Sequence, residues 1–296
     1  MAAATLDPEK TLSWERRHRT RAAIAALLGT LGLLVYFISG EVLRADGPRI
    51  SGLDAIVRGA QPGRVAELES LRVAEFQYLQ DNQLLVLGIG IGGLVGFIGM
   101  AWVAGFLGVA VRGRAAEFKR FLVYVPIIGG VVLGLGTLIV QGSVVVLTNE
   151  FMDGTRTVEE ATRPQNSFQQ FGQIMFSIGS LLLAVGLVII SLNAMRVGLL
   201  TKLFGYLGIV AGAMFVIYPL PVVQVFWVAG LGVLFLGRWP GGDPPAWRTG
   251  KAEPWPTAAE LAQARAERLG HAAPQPAPAQ APKAPSAGRS KRKKRS

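Results

Sequence analysis

The side chains that most often do catalytic or metal chemistry are scarce in this chain and lie outside its long apolar stretches. There is no cysteine, which excludes disulfides, thiolate metal sites and cysteine nucleophiles. Both histidines, His18 and His271, stand in polar sequence, so neither can serve as a metal ligand or proton relay within an apolar stretch. Ser143 and Ser180 do lie in such stretches, but no histidine or lysine accompanies them there as a base. The sequence therefore predicts no catalytic, cofactor-binding or metal-binding residue and no enzyme activity.

Two short patterns resemble known motifs, but neither has the surroundings that its chemistry needs. Gly88, Gly90 and Gly93 match the spacing of a dinucleotide-binding loop, which requires a strand before the glycines, whereas here they stand inside an apolar stretch. The glutamates at 159–160 and Arg163 resemble the paired glutamates and arginine of intramembrane CAAX-type proteases. In that motif three residues separate the glutamates from the arginine, whereas here only two do. We interpret the first pattern as a helix-packing face and the second as a solvated, capped loop helix.

Glycines recur every four residues in two of the apolar stretches, at Gly88, Gly92 and Gly96 and again at Gly130 and Gly134. On a helix this spacing places them on one face, where the missing side chains let two backbones approach closely. We therefore predict that these five glycines are helix-packing positions. Replacing Gly92 by leucine is expected to destabilise the assembly of the helices.

Neutral amide side chains are the remaining polar candidates within the apolar stretches. Ionisable residues inside a membrane usually mark function, but apart from Lys202 near a boundary none is found there. Gln141, Gln173 and Gln224 are candidates to line a polar cavity between helices. They are equally able to form structural hydrogen bonds between helices, and we favour that interpretation because no charge accompanies them. The lack of carboxylates in these stretches argues against proton-coupled chemistry.

The composition indicates which elements position these residues. Apolar residues make up 51% of the chain and charged residues only 17%, a balance that favours a membrane protein over a soluble domain. The apolar residues form long stretches with almost no charge, several of them longer than the roughly 20 residues that cross a bilayer. We predict an all-α fold, a polytopic membrane helix bundle with six transmembrane helices. The predicted spans cover residues 22–39, 84–111, 121–147, 174–194, 199–218 and 222–237.

Prolines predict where three of these helices begin or end. Asp7 followed by Pro8 predicts a helix start, with the aspartate as cap and the proline at the first helical position. Pro219 and Pro221 separate the fifth predicted span from the sixth, which is short. Two tilted or partly buried spans are the favoured interpretation of residues 199–237, and a re-entrant hairpin stays open.

Basic residues in the short loops predict the orientation. With six spans, four basic segments fall on the same side of the membrane: the arginines within 16–21, the loop 112–120, Arg196 with Lys202, and Arg238. Short cytoplasmic loops are enriched in lysine and arginine, so this side is predicted to be the cytoplasm. The chain is thus predicted to be a multi-pass plasma-membrane protein with cytoplasmic N and C termini. Its predicted segments are the N-terminal segment 1–21, the transmembrane domain 22–238 and the tail 239–296.

Two longer polar loops, over residues 40–83 and 148–172, are predicted to be extracytoplasmic. In the first, apolar residues recur at spacings of three and four over 65–78, which predicts a helix that can run on into the next span. In the second, Thr157 and Ser167 each stand three residues before a glutamate or glutamine and predict two capped helix starts.

The tail is basic and rich in alanine and proline. Residues 239–296 carry 11 basic and 4 acidic side chains, and the alanine- and proline-rich part is predicted to be disordered. The tail ends in a basic run that contains Arg289, Lys291, Arg292, Lys293, Lys294 and Arg295. We predict that this run contacts anionic lipid headgroups, since the tail is tethered beside the inner leaflet. Contact with RNA and a purely orienting role are the alternatives, and a nucleic-acid partner is not expected.

Two stretches carry a resemblance. One is SLNAMRVGLLT at 191–201, followed by GYLG at 205–208; the other is FLGRWP at 235–240, with PPAW at 244–247 and EPWP at 253–256. Together with the lysine- and arginine-rich tail, they resemble a group of uncharacterised multi-pass integral membrane proteins from actinobacterial genomes. The likeness covers about the last third of the chain and implies no particular activity.

The sequence thus predicts a non-enzymatic membrane protein with an interaction, scaffold or accessory role. Because the charged sequence lies outside the apolar stretches, we expect contacts with a protein partner at loop 40–83 and with lipid at the tail. The alternative is a channel or transporter for a small uncharged solute, lined by the three glutamines. The oligomeric state is left open.

Overall fold

The computed structural model describes residues 7–49, 69–162, 166–217, 221–239 and 242–255, together with Gln263. The chain divides into two compact units, Met1–Trp255 and Pro256–Ser296, and Gln263 is the only described residue of the second. Within the described residues, the regular structure is helical apart from one isolated bridge between Glu69 and Thr157. The helices are α1 (Pro8–Asp46), α2 (Val73–Asp81), α3 (Gln83–Arg112), α4 (Phe121–Asp153), α5 (Val158–Ala161), α6 (Ser167–Arg196), α7 (Lys202–Ala213), α8 (Pro221–Phe235) and α9 (Pro245–Thr249).

Four of these helices, α1, α3, α4 and α6, are long and apolar enough to cross a membrane. They contain 39, 30, 33 and 30 residues, against the roughly 20 that a bilayer requires. The chain is therefore an all-helical, membrane-embedded protein, as the composition predicts. The count of six spans is not confirmed, because α7 and α8 have only 12 and 15 residues. At 1.5 Å per residue they are about 18 and 22 Å long, shorter than the hydrocarbon core of about 30 Å.

The α7–α8 pair enters the bundle and returns at the same end. Near its tip, the ring of Phe215 lies 5.9 Å from that of Phe97, which stands about halfway along α3. At the other end of the pair, the Leu234 carbonyl accepts a hydrogen bond from Arg19 at the start of α1. The residues after Ala213 leave the helical path, so each half of the apolar sequence 199–237 yields a helix too short to cross. In the described residues the pair thus reaches about the middle of the bundle.

Two predicted helix caps agree with the structure and a third is shifted by one residue. Asp7 caps α1 by accepting from the Glu9 and Lys10 amides, and these bonds hold the pKa of its carboxyl below the usual range. The Thr157 hydroxyl accepts from the Glu160 amide, so the predicted cap of α5 is confirmed. The cap of α6 is Asn166, one residue before the predicted Ser167, since its side chain accepts from the Gln169 amide at 2.7 Å.

The helix predicted over 65–78 begins later and is not continuous with the next. Residues 50–68 lie outside the described part of the chain, residues 69–72 are not helical, and α2 begins at Val73. Asn82 then interrupts the path before α3, with φ of −113° and ψ of 29°. Its side chain donates to the Tyr78 carbonyl, and such local bonds compete with continuation of a helix.

Glycines stand where the long helices are closest. On α3, a Cβ at Gly92 would lie 2.7 Å from the Tyr36 backbone nitrogen of α1, and one at Gly96 would lie 2.8 Å from that of Leu33. Gly88 belongs to the same face, opposite the Ser39 hydroxyl. A real Cβ could not fit at these distances, so the two backbones are in contact only because these side chains are absent.

Glycines also allow close contact between α4 and α3. A Cβ at Gly130 would lie 2.6 Å from the Phe97 carbonyl oxygen of α3, and one at Gly134 would lie 3.2 Å from Leu94 Cα. On the opposite face of α4, a Cβ at Gly136 would lie 2.5 Å from the Phe176 amide of α6. The five glycines singled out in the sequence therefore all lie at helix–helix contacts.

Candidate functional site

The structure collects charged and aromatic side chains at both ends of the bundle. One end, where α3 ends at Arg112 and α4 begins at Phe121, is called the basic end below. At the opposite end, α2, α5, the last turns of α4 and the first turn of α6 enclose an open cleft of about 540 Å³, called the α2-end cleft. Its lining includes Arg72, Glu75, Phe76, Glu150, Phe151 and Glu160.

Two loops that are distant in sequence build the α2-end cleft. The Ser70 amide donates to the Arg156 carbonyl at 2.8 Å and ties the residues before α2 to the turn after α4. The rings of Phe76 and Phe151 lie 4.2 Å apart and hold α2 against α4. The Asn149 side chain accepts from Gln83 at 2.6 Å, which fixes the start of α3 beside the same part of α4. The described part of the predicted loop 40–83 is therefore attached to the bundle along its last residues.

The charges of the cleft are mixed. The Arg72 guanidinium donates to both oxygens of Glu75, at 2.9 and 3.1 Å, and lies 4.9 Å from the centre of the Phe76 ring. This hydrogen bonding to Glu75 raises the pKa of Arg72 above its ordinary value. Glu150 lies on the rim of the cleft with its side chain exposed. The cleft is thus a concave surface that combines an exposed glutamate, a paired arginine and aromatic rings.

At the basic end, a buried ion pair organises three segments. Glu15 of α1 and Arg114 of the loop between α3 and α4 are 3% and 6% exposed and form a two-bonded pair. Arg114 also donates to the Ala246 carbonyl of α9 at 2.6 Å. Trp247 next to it donates from its indole nitrogen to the Leu199 carbonyl at 3.0 Å. These bonds fasten α1, the α3–α4 loop and α9 to one another.

Part of the predicted tail is thus folded. Residues 242–255 were assigned by composition to a tail that begins at Trp239, but they lie against the bundle. Asp243 pairs with Arg19 of α1 at 3.0 Å, and the Glu253 amide donates to the Val197 carbonyl at 3.2 Å. The buried indole of Trp247 and these bonds explain why this part of the predicted tail is folded. A proline-rich composition does not show whether single residues such as Trp247 anchor the segment.

The three glutamines predicted to line a cavity lie on three helices in three environments. Gln141 of α4 is half-buried and faces Gly90 of α3, while Gln173 of α6 is exposed. Gln224 of α8 is buried and donates to the Ala211 carbonyl of α7 at 3.0 Å. Among the described residues, no hydrogen bond joins one glutamine to another. The prediction of a lining built from all three stays a prediction.

Three buried polar atoms without partners lie on α6 and α8, and of their residues the sequence analysis singles out only Gln224. The Ser191 hydroxyl, the Trp227 indole nitrogen and the Gln224 carbonyl oxygen are buried and have no hydrogen-bond partner among the described residues. The first two face Gly208, where a Cβ would lie 2.5 Å from the indole nitrogen. Sequence spacing gave no sign of this polar cluster, because the three side chains come from two helices whose crossing is fixed only by packing.

Other predicted sites lie outside the described residues. These are the basic run from Arg289 to Arg295 and residues 50–68 of the loop 40–83. Among the described residues, no group of three or more histidine, aspartate or glutamate side chains is placed to hold a metal ion.

Comparison with known proteins identifies no relative. Neither a family model, nor a curated protein, nor a solved structure matches the chain. The resemblance to actinobacterial membrane proteins therefore stays a prediction from the stretches at 191–208 and 235–256.

Proposed function

We propose that this chain is a non-enzymatic membrane protein that binds a partner protein through the α2-end cleft. The observation that carries the proposal is the cleft itself, about 540 Å³ in volume and formed jointly by α2, α4, α5 and α6. Four elements meet there around aromatic rings and an exposed acidic rim, whereas the long helices between the two ends contact one another through glycines. Such a distribution suits recognition at one face of a rigid membrane scaffold.

The orientation belongs to the same proposal. The arginines in the first part of α1, the basic loop between α3 and α4, Arg196 with Lys202 where α6 meets α7, and Arg238 after α8 are at the basic end, so we assign that end to the cytoplasm. The α2-end cleft then opens on the outer side of a plasma membrane, and its partner is a protein with a basic or mixed surface on that side.

Native mass spectrometry of the full chain in discs of its own membrane lipids tests the proposal. Glu150→Lys reverses a charge on the exposed rim of the cleft, and Glu117→Lys makes the same reversal at an exposed position of the basic end. We expect a partner at fixed stoichiometry with the unmodified chain and with Glu117→Lys, and its loss with Glu150→Lys. Retention of the partner by both variants, or its absence from all three samples, would contradict the proposal.

A second candidate, passage of a small uncharged solute, is favoured by the polar cluster around Gly208. Three buried polar atoms without partners, on Ser191, Gln224 and Trp227, offer hydrogen bonds to a small guest molecule between α6, α7 and α8. Liposome swelling in glycerol or urea separates the two candidates. Faster swelling with the full chain than with Gln224→Leu would favour this function, and equal swelling of protein-containing and empty liposomes would exclude it for these solutes.

A further inference from the structure

A groove runs along the outside of the bundle from the basic end. It has a volume of about 600 Å³ and lies between α1, α3 and α4. Its walls follow single helix faces: Trp14, His18 and Arg21 on α1, and residues from Ile98 to Arg112 at every third or fourth position on α3. The groove therefore extends parallel to the helices rather than across them.

The length and floor of the groove suit a hydrocarbon chain. From Arg112 to Ile98 is 14 residues of helix, about 21 Å, while half of a hydrocarbon core is about 15 Å thick. Ala101 and Gly105 of α3 form part of the lining, and the side chain of Ile127 of α4 lies directly against Gly105. Trp102 and Ile98 are 56% and 37% exposed in the apolar part of α3, so the groove faces lipid rather than the interior of the protein.

The mouth of the groove is positively charged. Arg21, Arg112 and Arg120 line it together with His18, and none of the groove's lining residues is acidic. The side chains of Arg21 and Arg112 make no ion pair or hydrogen bond with another described residue, and Arg120 donates only to the Tyr124 hydroxyl, at 3.2 Å. A second hollow shares Trp14, Val109 and Arg112 and includes Lys10, whose ammonium is paired with Asp7 at 3.3 Å.

Aromatic rings hold the mouth in shape. Trp14 stacks on Phe106 with ring centroids 5.3 Å apart, and His18 stacks on Trp14 at 4.7 Å. The His18 ring nitrogen Nδ1 is 2.8 Å from the Trp14 carbonyl oxygen, which fixes the imidazole beside the indole. Tryptophan and tyrosine concentrate at the depth where acyl chains meet headgroups, and Trp14 and Tyr124 line the mouth of this groove.

We infer that the groove between α1, α3 and α4 binds one anionic phospholipid of the leaflet at the basic end. Its headgroup phosphate lies against Arg112, Arg120 and Arg21, and one acyl chain follows the apolar wall toward Ile98. Charge complementarity selects this occupant. A second copy of the chain packed about a two-fold axis would bring the same arginines together without an acid to neutralise them. A free phosphate would leave the apolar length of the groove unfilled.

Native mass spectrometry of the full chain in detergent, with added dioleoyl phosphatidylglycerol or dioleoyl phosphatidylcholine, tests the inference. Arg112→Gln with Arg120→Gln removes two charges from the mouth. Arg16→Gln with Arg196→Gln removes two exposed charges that do not line the groove. We expect the first pair to weaken phosphatidylglycerol binding roughly 25-fold, about fivefold per arginine, and the second pair to leave it within about twofold. The basic tail is the same in every sample, so differences report on the groove.

A second pair of variants probes the apolar part. Val109→Trp fills the groove without changing charge, and Leu181→Trp adds the same ring to an exposed position on α6. Loss of phosphatidylglycerol with Val109→Trp alone, and weak binding of phosphatidylcholine, are the expected results. The inference is overturned if the two charge variants bind alike, if Val109→Trp binds normally, if phosphatidylcholine competes equally, or if inorganic phosphate displaces the lipid.

Discussion

At the scale of single residues, the decisive contact is the buried pair of Glu15 and Arg114. Burying either charge alone is very unfavourable, but here the carboxylate receives two bonds and the guanidinium also reaches two carbonyls, those of Ala110 and Ala246. The pair therefore matters less for net stability than for requiring that three separate segments meet at one place.

Removing one partner of this pair is expected to destabilise the protein strongly. Arg114→Met leaves Glu15 buried without a countercharge, at a cost of about 3–5 kcal/mol. Arg44→Gln, which breaks an exposed pair with Glu41, is the matched control and should cost less than about 1 kcal/mol. Thermal unfolding in detergent measures both. The double variant Glu15→Gln with Arg114→Met should regain part of the loss, and a double variant less stable than Arg114→Met would refute this account.

At the scale of elements, the closeness of α1 and α3 depends on absent side chains. Gly92→Ala places a methyl group 2.7 Å from the Tyr36 backbone nitrogen, so the helices must separate, at a cost of about 1–3 kcal/mol. Gly142→Ala is the control within α4, because a Cβ there meets nothing within 4 Å. The thermal midpoint should fall for the first variant only. Equal midpoints for the two would show that the helices are not in this contact.

The folded segment 242–255 gives a second prediction at this scale. A chain that ends at residue 241 lacks Asp243, Ala246 and Trp247, and so loses partners of Arg19, Arg114 and Leu199. We expect it to unfold at a clearly lower temperature than a chain that ends at Trp255. A buried arginine N–H that loses its hydrogen-bond acceptor lowers the free energy of unfolding by about 1–3 kcal/mol. If both truncated chains unfold at the same temperature, the segment contributes nothing to the bundle.

Periodicity and composition predict these helices better than they predict the contacts between them. Apolar stretches predict the long helices, and caps such as Asp7 of α1 and Thr157 of the short α5 predict where helices start, because both signals are local in sequence. The Glu15–Arg114 pair joins residues 99 apart in sequence, and no local pattern marks it. The sequence did not predict the anchoring role of Trp247 for the same reason, because that role depends on contacts with residues of other segments.

At the scale of the whole molecule, the described chain is four long helices with a half-depth pair inserted from the basic end. Apolar length and the basic short loops predict six spans, and the structure confirms four helices long enough to cross without confirming the last two. Phe215 instead meets Phe97 at the middle of α3. The Phe215, Val216 and Ile217 amides donate to carbonyls of Gly212 and Ala213, so the backbone beyond α7 is satisfied within the protein.

Cysteine labelling tests the proposed orientation directly, because the chain has no cysteine of its own. Glu117→Cys at the basic end and Glu159→Cys on α5 are both exposed positions. In intact cells, a membrane-impermeant maleimide should label Glu159→Cys and leave Glu117→Cys unlabelled until the cells are opened. The reverse pattern would invert the orientation.

The same chemistry measures the depth of the α7–α8 pair. Ile217 is 74% exposed near the tip, so Ile217→Cys faces lipid if the pair reaches only the middle of the membrane. We expect the impermeant reagent to miss it from both sides, while a small apolar maleimide reacts. Labelling of Ile217→Cys from the outer side in intact cells would instead show that α7 and α8 are two full spans.

The position of Ala246 in the chain has a consequence for biosynthesis. Arg114 leaves the ribosome long before its carbonyl partner, which follows 132 residues later, after all four long helices. The basic end therefore stays open on the cytoplasmic side of the proposed topology until translation is nearly finished. Residues 242–255 can dock only after they have been synthesised, so a chain terminated before Ala246 keeps the Glu15–Arg114 pair but lacks the carbonyl that completes it.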